Sequence, residues 1–219
     1  MNFRAALFDL DGTLLNTLDD LGLSMNRVLE RFGFPPHPME SYKTFVGEGI
    51  SVLAARALPR VHCDEPSIKA CMEAMSAEYA NHWMDATKPY DGIELLLEGF
   101  AQRDFKLAVL SNKPHAMTSV LVAHYFPKTR FHCVCGAREG VPKKPHPLGA
   151  LEIARSLRIA PEEFMYLGDS GVDMDTAVSA GMFPVGALWG FREKGELLAH
   201  GAKAVITHPL ELLDLADGR

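Results

Sequence analysis

The feature that most constrains the fold is an alternation of short apolar runs with helical segments between residues 90 and 207. The apolar runs have the length of strands and fall at residues 106–110, 131–135, 164–167 and 183–188, with a possible edge strand at 204–207. Helical patterns lie between them at residues 93–103, 114–125, 148–157 and 172–180. This order predicts an α/β fold with a doubly wound parallel sheet, whose ligands bind beyond the carboxyl ends of the strands.

The amino-terminal segment fits the same sheet, whereas the region after it does not. Residues 5–8 are an apolar run that ends abruptly at Asp9, as expected of a buried parallel strand. Residues 17–88 break the alternation and show several amphipathic helices separated by turns rich in glycine and proline. We therefore predict a catalytic core made of residues 1–16 and 89–219, with a helical cap domain inserted at residues 17–88.

Composition excludes several classes of function. The net charge of -6 argues against a nucleic-acid or membrane-surface partner, because either would favour a basic face. The four cysteines lack the CxxC spacing of a zinc or redox site. The chain turns acidic at Asp9, and no apolar stretch approaches the roughly 18 residues of a membrane helix. We expect a cytoplasmic protein that acts on a small phosphorylated metabolite, as a monomer or a homodimer.

Two acidic turns follow predicted strands. Asp9 and Asp11 lie two residues apart and would face one side of an extended segment, and Gly12 lets the chain bend tightly after them. Asp169 and Asp173 follow the run at 164–167, at the same predicted sheet edge. Oxygen ligands from separate turns suit Mg²⁺. Taken singly, each turn also fits plain helix capping, by Thr13 in the first turn and Ser170 in the second.

Two further polar segments offer groups that bind phosphate. Ser111 and Asn112 precede Pro114, which we expect in the first turn of a helix whose free N–H groups would face the ligand. Lys143 and Lys144 stand in a loop flanked by prolines, where an ammonium group would neutralise phosphate. Alone, the first segment is an ordinary helix start and the second an ordinary solvated loop.

The order of these four segments is more specific than any one of them. Asp-x-Asp, Ser-Asn, Lys-Pro and Gly-Asp-Ser-x-x-Asp together resemble the four signature motifs of the haloacid dehalogenase superfamily, and the resemblance extends over the whole chain, including a helical cap after the first motif. Within that superfamily the chain looks most like the phosphoglycolate phosphatase group. The features that support this narrower resemblance are residues 45–50, 88–92 and 110–114.

The resemblance implies a role for each acidic residue. Asp9 would attack phosphorus and form a phosphoaspartate, and Asp11 would protonate the leaving alcohol and then activate water. Mg²⁺ would be held by Asp9, the backbone carbonyl of Asp11 and Asp169, with Asp173 supporting the metal loop.

The resemblance also implies which residues hold the phosphoryl group and the substrate. Gly12, Thr13, Ser111 and Asn112 would contact the transferring oxygens, and Lys144 would neutralise them, with Lys143 as the runner-up. In the cap, Gly47 and Glu48 form the candidate specificity turn.

The predicted function is Mg²⁺-dependent hydrolysis of a small organic phosphate monoester, with 2-phosphoglycolate as the leading substrate. A phosphosugar mutase, which returns the phosphoryl group to the sugar, stays open because the motifs do not exclude it. A phosphonate hydrolase would need a cap lysine, for which Lys43 is the candidate. A receiver-type signalling module fits less well, because its phosphorylated aspartate follows the third strand and Asp9 follows the first.

Overall fold

The chain folds into two compact units. The structure, a computed structural model, describes residues 2–218. One unit runs to Leu15 and resumes at Pro89, and the other is Asn16–Lys88. The strands are β1 (Ala5–Phe8), β2 (Leu15–Asn16), β3 (Lys88–Pro89), β4 (Lys106–Pro114), β5 (Phe131–Ala137), β6 (Phe164–Gly168), β7 (Phe183–Ala187) and β8 (Ala204–Ile206). The helices are α1 (Leu18–Arg31), α2 (Met39–Phe45), α3 (Ile50–Ala57), α4 (Glu65–His82), α5 (Ile93–Gln102), α6 (His115–Tyr125), α7 (Leu148–Leu157), α8 (Gly171–Ala180), α9 (Lys194–Ala199) and α10 (Glu211–Ala216).

The larger unit is built on a six-stranded sheet in the order β5-β4-β1-β6-β7-β8. Every neighbouring pair in that order is parallel. The order runs outward in both directions from β1, as it does in doubly wound folds. The predicted fold class is confirmed.

The sheet is covered on both faces, which explains why its central strand is apolar throughout. Leu7 belongs to a buried cluster with residues of α7 and α8, including Ile153 and Ala177. Phe8 points to the other face, where its ring meets the edge of Phe100 from α5. All four residues of β1 are buried, as is usual for a parallel strand between two helical layers.

The register of the central strands brings three polar segments to one edge. Phe8, the last residue of β1, lies opposite Val109 of β4 and Leu167 of β6. The residues that follow these three positions therefore lie side by side toward the carboxyl edge of the sheet. This edge carries Asp9, the Ser111 segment and Asp169.

Strand β4 is longer than predicted, which corrects the expected start of helix α6. The strand continues through Ser111, Asn112 and Lys113 to Pro114, which pairs with Ala137 across a register irregularity. Pro114 is therefore the N-cap residue, outside the helix. Ser111 and Asn112 belong to an irregular strand end and not to a helix amino terminus, so the expected helical N–H groups do not begin beside them.

The second acidic turn caps helix α8. Ser170 and Asp173 form a reciprocal capping box at its start, and Gly181 ends it in the left-handed conformation. The capping role expected for Ser170 is present, together with the contacts of Asp173 described below.

The smaller unit is helical and has its own buried residues, among them Met25, Leu29 and Tyr42. Helix α1 packs on α2, α3 and α4. Asp20, near the start of α1, is buried and accepts hydrogen bonds from the backbone of Ala86 and from the backbone and hydroxyl of Thr87. These bonds tie the two ends of the unit together. Across residues 2–218, no helix is long and apolar enough to cross a membrane.

Candidate active site

The site is centred on the carboxylate of Asp9, directly after β1. Its Oδ1 accepts a hydrogen bond of 2.7 Å from the Leu10 backbone and an ion-paired contact of 2.8 Å from Lys144 Nζ. Asp9 is 5% exposed and Lys144 is 5% exposed, so the pair is largely removed from water. Of the two adjacent lysines, Lys144 reaches Asp9, whereas Lys143 is exposed.

Asp173 is a buried partner of the same lysine. Its Oδ1 lies 2.7 Å from Lys144 Nζ and accepts from the hydroxyl of Tyr166 at 3.4 Å. Its Oδ2 accepts from the hydroxyl of Ser170 at 2.6 Å and from the Ser170 backbone at 3.2 Å. Both carboxylate oxygens are therefore engaged by protein groups, which suits a residue that holds Lys144 and the turn in place.

Asp169 completes the acidic group. Its Oδ1 accepts from the Thr13 hydroxyl at 3.0 Å, and its Oδ2 accepts from the Phe191 backbone at 2.8 Å. One carboxylate oxygen from each of Asp9, Asp169 and Asp173 lies within 4.8 Å of the others, a spacing that suits a metal ion. Gly12 makes this approach possible, because it has a φ of 85° and a Cβ there would overlap the Asp169 carboxylate.

Negative charge is concentrated in this group. Within residues 2–218, the ammonium of Lys144 contacts two of the three buried carboxylates, those of Asp9 and Asp173, and the charge of Arg192 acts on the third, that of Asp169. Burial, with Asp173 adding to it, raises the pKa of Asp169 to about 7. Burial and the charge of Asp173 also raise the pKa of Asp9 well above its usual range, against the opposing effect of Lys144. A divalent cation among these oxygens would favour their ionised forms, so the residues fit a metal such as Mg²⁺.

Asp11 forms an ion pair with a different lysine, Lys113. Its two oxygens lie 2.9 and 3.1 Å from Lys113 Nζ, and the two side chains are 11% and 5% exposed. No role is predicted for Lys113 from the sequence, although it lies in the motif that supplies Ser111 and Asn112. The site thus has two buried lysines, one for Asp9 and Asp173 and the other for Asp11.

Two predicted phosphate contacts have other partners. The Asn112 amide donates to the Lys144 carbonyl at 3.1 Å and accepts from the Lys144 backbone at 2.9 Å, so it anchors the lysine loop. The Thr13 hydroxyl is fully buried and donates to Asp169. Both side chains also position charged residues here, and their contact with the transferring oxygens stays a prediction. Ser111 is buried, and its hydroxyl accepts from the Lys113 backbone at 3.2 Å while keeping its own proton to donate.

The segment after β7 also contributes to the site and was not found from the sequence. Phe191 supplies the backbone N–H that binds Asp169, and the indole N–H of Trp189 donates to the Thr13 carbonyl at 3.0 Å. The signal that the sequence offers is the position of Trp189 just beyond the carboxyl end of an apolar run, since the other polar turns follow strands in the same way.

The predicted specificity turn belongs to the helical unit. Gly47 and Glu48 lie between α2 and α3, and Glu48 pairs with Arg56, which also donates to the Thr44 carbonyl. Lys43, the candidate for a phosphonate hydrolase, forms an ion pair with Glu40 at 3.0 Å on the surface of that unit.

The fold and the acidic group define an α/β enzyme equipped for phosphoryl transfer, and comparisons with known proteins identify its family. The family model described as haloacid dehalogenase-like hydrolase matches residues 6–187. The phosphoglycolate phosphatase of Haemophilus influenzae is 31% identical over 195 residues, spanning 86% of this chain and 87% of that protein. The phosphoglycolate phosphatase of Xanthomonas campestris is 28% identical over 214 residues, or 97% of this chain and 96% of the relative.

Solved structures of similar proteins support the same family. A crystal structure from Lactobacillus delbrueckii subsp. bulgaricus is similar with a TM-score of 0.92 and 30% identity, covering 99% of each chain. A predicted phosphoglycolate phosphatase from Haemophilus somnus is similar with a TM-score of 0.90 and 25% identity, covering 98% of each chain. The chain belongs to the haloacid dehalogenase-like hydrolases and is a phosphoric monoester hydrolase. The family resemblance is confirmed, and the receiver-type alternative is set aside.

Proposed function

We propose that the protein is a Mg²⁺-dependent phosphatase that hydrolyses 2-phosphoglycolate through a phosphoaspartate at Asp9. The observation that carries this proposal is the Asp9 carboxylate itself, buried at the sheet edge and fixed through one oxygen by Leu10 and Lys144. The choice of substrate is supported by the phosphoglycolate phosphatases that are similar over most of the chain.

In the first step, Asp9 attacks phosphorus and the bond to the alcohol breaks. Among residues 2–218, both hydrogen bonds to the Asp9 carboxylate fall on Oδ1, so we assign the attack to Oδ2. Ser111 donates its hydroxyl proton to a transferring oxygen, and Lys144 neutralises charge that builds up there. Asn112 holds the backbone of Lys144 and, with Gly12 and Thr13, is proposed to contact the transferring oxygens as well.

Asp11 moves the protons. It gives one to the leaving alkoxide oxygen and then takes one from the water that attacks the phosphoaspartate, which restores free Asp9. The position of Asp11 on the turn after β1, two residues beyond Asp9, suits a group that acts on the leaving side of the phosphoryl group.

The metal would be held by the carboxylates of Asp9 and Asp169 and by the backbone carbonyl of Asp11. When bound, Mg²⁺ neutralises the nucleophile and the phosphate so that their charges do not repel each other. Asp173 supports the site through Lys144 and Ser170. Thr13 and Gly12 position Asp169, the first by a hydrogen bond and the second by leaving room for its carboxylate.

The helical unit is assigned to substrate selection as a cap domain. The turn at Gly47 and Glu48 is the proposed specificity element, held by the Glu48–Arg56 ion pair. We further propose a small phosphorylated metabolite as the partner, in place of nucleic acid or a membrane surface, and a cytoplasmic location.

A panel of phosphate monoesters, assayed for released phosphate, tests this function. We expect 2-phosphoglycolate to give the highest kcat/KM with MgCl₂ and EDTA to abolish turnover of every substrate. Asp9→Asn should be inactive, with Asp19→Asn, an acidic residue of helix α1, as the matched control. Retained activity in Asp9→Asn or in EDTA would refute the mechanism, and preference for another monoester would refute the substrate.

The mutase alternative has its own assay. A sugar monophosphate is offered with a trace of the corresponding bisphosphate, and the products are separated. Isomerisation without released phosphate would show that the phosphoaspartate returns to the sugar. We expect no isomerised sugar, because the curated relatives that the chain resembles are phosphatases.

A further inference from the structure

Lys113 is a buried cation placed against the residue that we assign to proton transfer. Its ammonium group contacts both oxygens of Asp11, at 2.9 and 3.1 Å, and its side chain is 5% exposed. Burying either a lysine ammonium or a carboxylate without a partner of opposite charge costs free energy. Separating the two groups inside the protein would therefore be unfavourable, which keeps them in contact. The carboxylate of Asp11 is thereby fixed in both position and rotation.

The backbone of Lys113 is itself held on several sides. Its N–H donates to the Ser111 hydroxyl, and its carbonyl accepts from the Thr118 hydroxyl at 3.2 Å. Gly136 of β5 lies so close that a Cβ there would come 2.6 Å from that carbonyl. The ammonium group is therefore delivered by a segment with little freedom, which also carries Ser111.

The two buried lysines divide the carboxylates between them. Lys144 contacts Asp9 and Asp173, whereas Lys113 contacts Asp11. Asp11 is therefore paired with a different lysine from the one that contacts Asp9. The nucleophile and the proton-transfer group thus have separate counter-ions.

We propose that Lys113 is a positioning residue for proton transfer by Asp11, an inference that rests on the proposed function. In the step concerned, the bond from Asp9 to phosphorus forms as the ester P–O bond breaks. The electron pair leaves on the alkoxide oxygen, which takes the proton from Asp11. Asp11 enters this step protonated and leaves it as a carboxylate. Lys113 holds the side chain where its proton reaches the departing oxygen, and then binds both oxygens of the carboxylate that forms.

Leaving groups of different basicity test this role. An alkyl phosphate expels a basic alkoxide that needs a proton, whereas p-nitrophenyl phosphate expels a stable anion that does not. A general acid contributes about 10²–10⁴-fold to rate. For Lys113→Met we expect kcat/KM to fall at least about tenfold more for 2-phosphoglycolate and glycerol 2-phosphate than for p-nitrophenyl phosphate. Lys113→Arg should recover part of the loss, because a guanidinium group also binds both oxygens of a carboxylate.

Three controls keep the outcomes separate. Lys106→Met replaces an exposed lysine of the same strand and should change neither substrate. Urea unfolding of each variant reports whether it is folded. Adding Lys113→Met to Asp11→Asn should cause no further discrimination between leaving groups, since both changes remove the same contribution.

Each contrary result identifies what fails. If Asp11→Asn does not discriminate between leaving groups, the acid role in the proposed function is wrong. If Asp11→Asn discriminates and Lys113→Met lowers both classes of substrate equally, the positioning role is overturned and the proposed function stands. A loss confined to 2-phosphoglycolate would also overturn it, because Lys113 would then be contacting the substrate carboxylate.

Discussion

Replacing Lys144 by methionine should destabilise the protein and inactivate it, whereas the same change at Lys143 should do neither. Lys144 Nζ lies 2.8 Å from Asp9 and 2.7 Å from Asp173, and its side chain is 2% exposed. Methionine fills a similar volume but carries no charge, so the buried carboxylates lose their ammonium partner. Lys143 is exposed, and its replacement removes a solvated charge.

The expected magnitude follows from the burial of the pair. Removing one partner of a buried ion pair costs about 3–5 kcal/mol, because the remaining charge stays buried. For a chain of this length each kcal/mol lowers the melting temperature by roughly 2–4 °C, which gives a decrease of roughly 6–20 °C for Lys144→Met. The decrease should be smaller in saturating MgCl₂, since a bound cation replaces part of the missing positive charge.

The assay pairs unfolding with turnover. Urea or thermal unfolding of both variants is followed with EDTA and with MgCl₂, and kcat/KM is measured for 2-phosphoglycolate. We expect Lys144→Met to lose about 10²-fold or more in kcat/KM and Lys143→Met to match the parent protein. A stable, active Lys144→Met, or equal losses in the two variants, would refute the assignment of Lys144 as the counter-ion of Asp9.

Three other changes test separate parts of the structure. Because burial raises the pKa of Asp169 from 3.8 to about 7, the metal-free folded protein keeps a proton that the unfolded chain loses between about pH 4 and about pH 7. The stability of the metal-free protein should therefore fall as pH rises through that window. MgCl₂ should raise the melting temperature more at about pH 8 than at about pH 5, and an equal rise at the two pH values would contradict the raised pKa of Asp169. Gly12→Ala should abolish activity and weaken stabilisation by Mg²⁺, measured by thermal shift, because its Cβ would displace the Asp169 carboxylate. Asp20→Ala should lower the free energy of unfolding by about 2–4 kcal/mol, since the Ala86 and Thr87 donors lose their acceptor, and a loss below about 0.5 kcal/mol in urea would refute this.

The sequence predicts the strands of the sheet well where one signal dominates. The run from Ala5 to Phe8 is apolar throughout and is cut off by Asp9, so both ends of β1 are visible in the chain. Strand β4 shows the opposite case. Ser111 and Pro114 favour a helix start locally, but parallel pairing with β5 as far as Ala137 extends the strand through them.

The site is predictable in its residue types and less so in its partners. Asp9, Asp169 and Lys144 were named from their motifs, and the structure brings them together. The contacts of Asn112 with the Lys144 backbone and of Phe191 with Asp169 were not foreseen. Each joins residues that are far apart in the chain, and a backbone N–H leaves no mark on the sequence. Such contacts appear once the strand order is known.

The central claim is that Asp9 becomes phosphorylated during turnover, and rapid acid quenching tests it most directly. Asp11→Asn is mixed with p-nitrophenyl phosphate, whose leaving group needs no proton, so that Asp9 should still be phosphorylated while hydrolysis of the intermediate, which needs Asp11 as the base, should be slow. Samples are quenched at successive times and mapped by peptide mass spectrometry. We predict a phosphate on the peptide that contains Asp9, released by hydroxylamine as expected of an acyl phosphate, and none in the matching variant that also carries Asp9→Asn. Product formation without a phosphorylated Asp9 peptide at any time, or phosphate attached to another residue, would contradict the account.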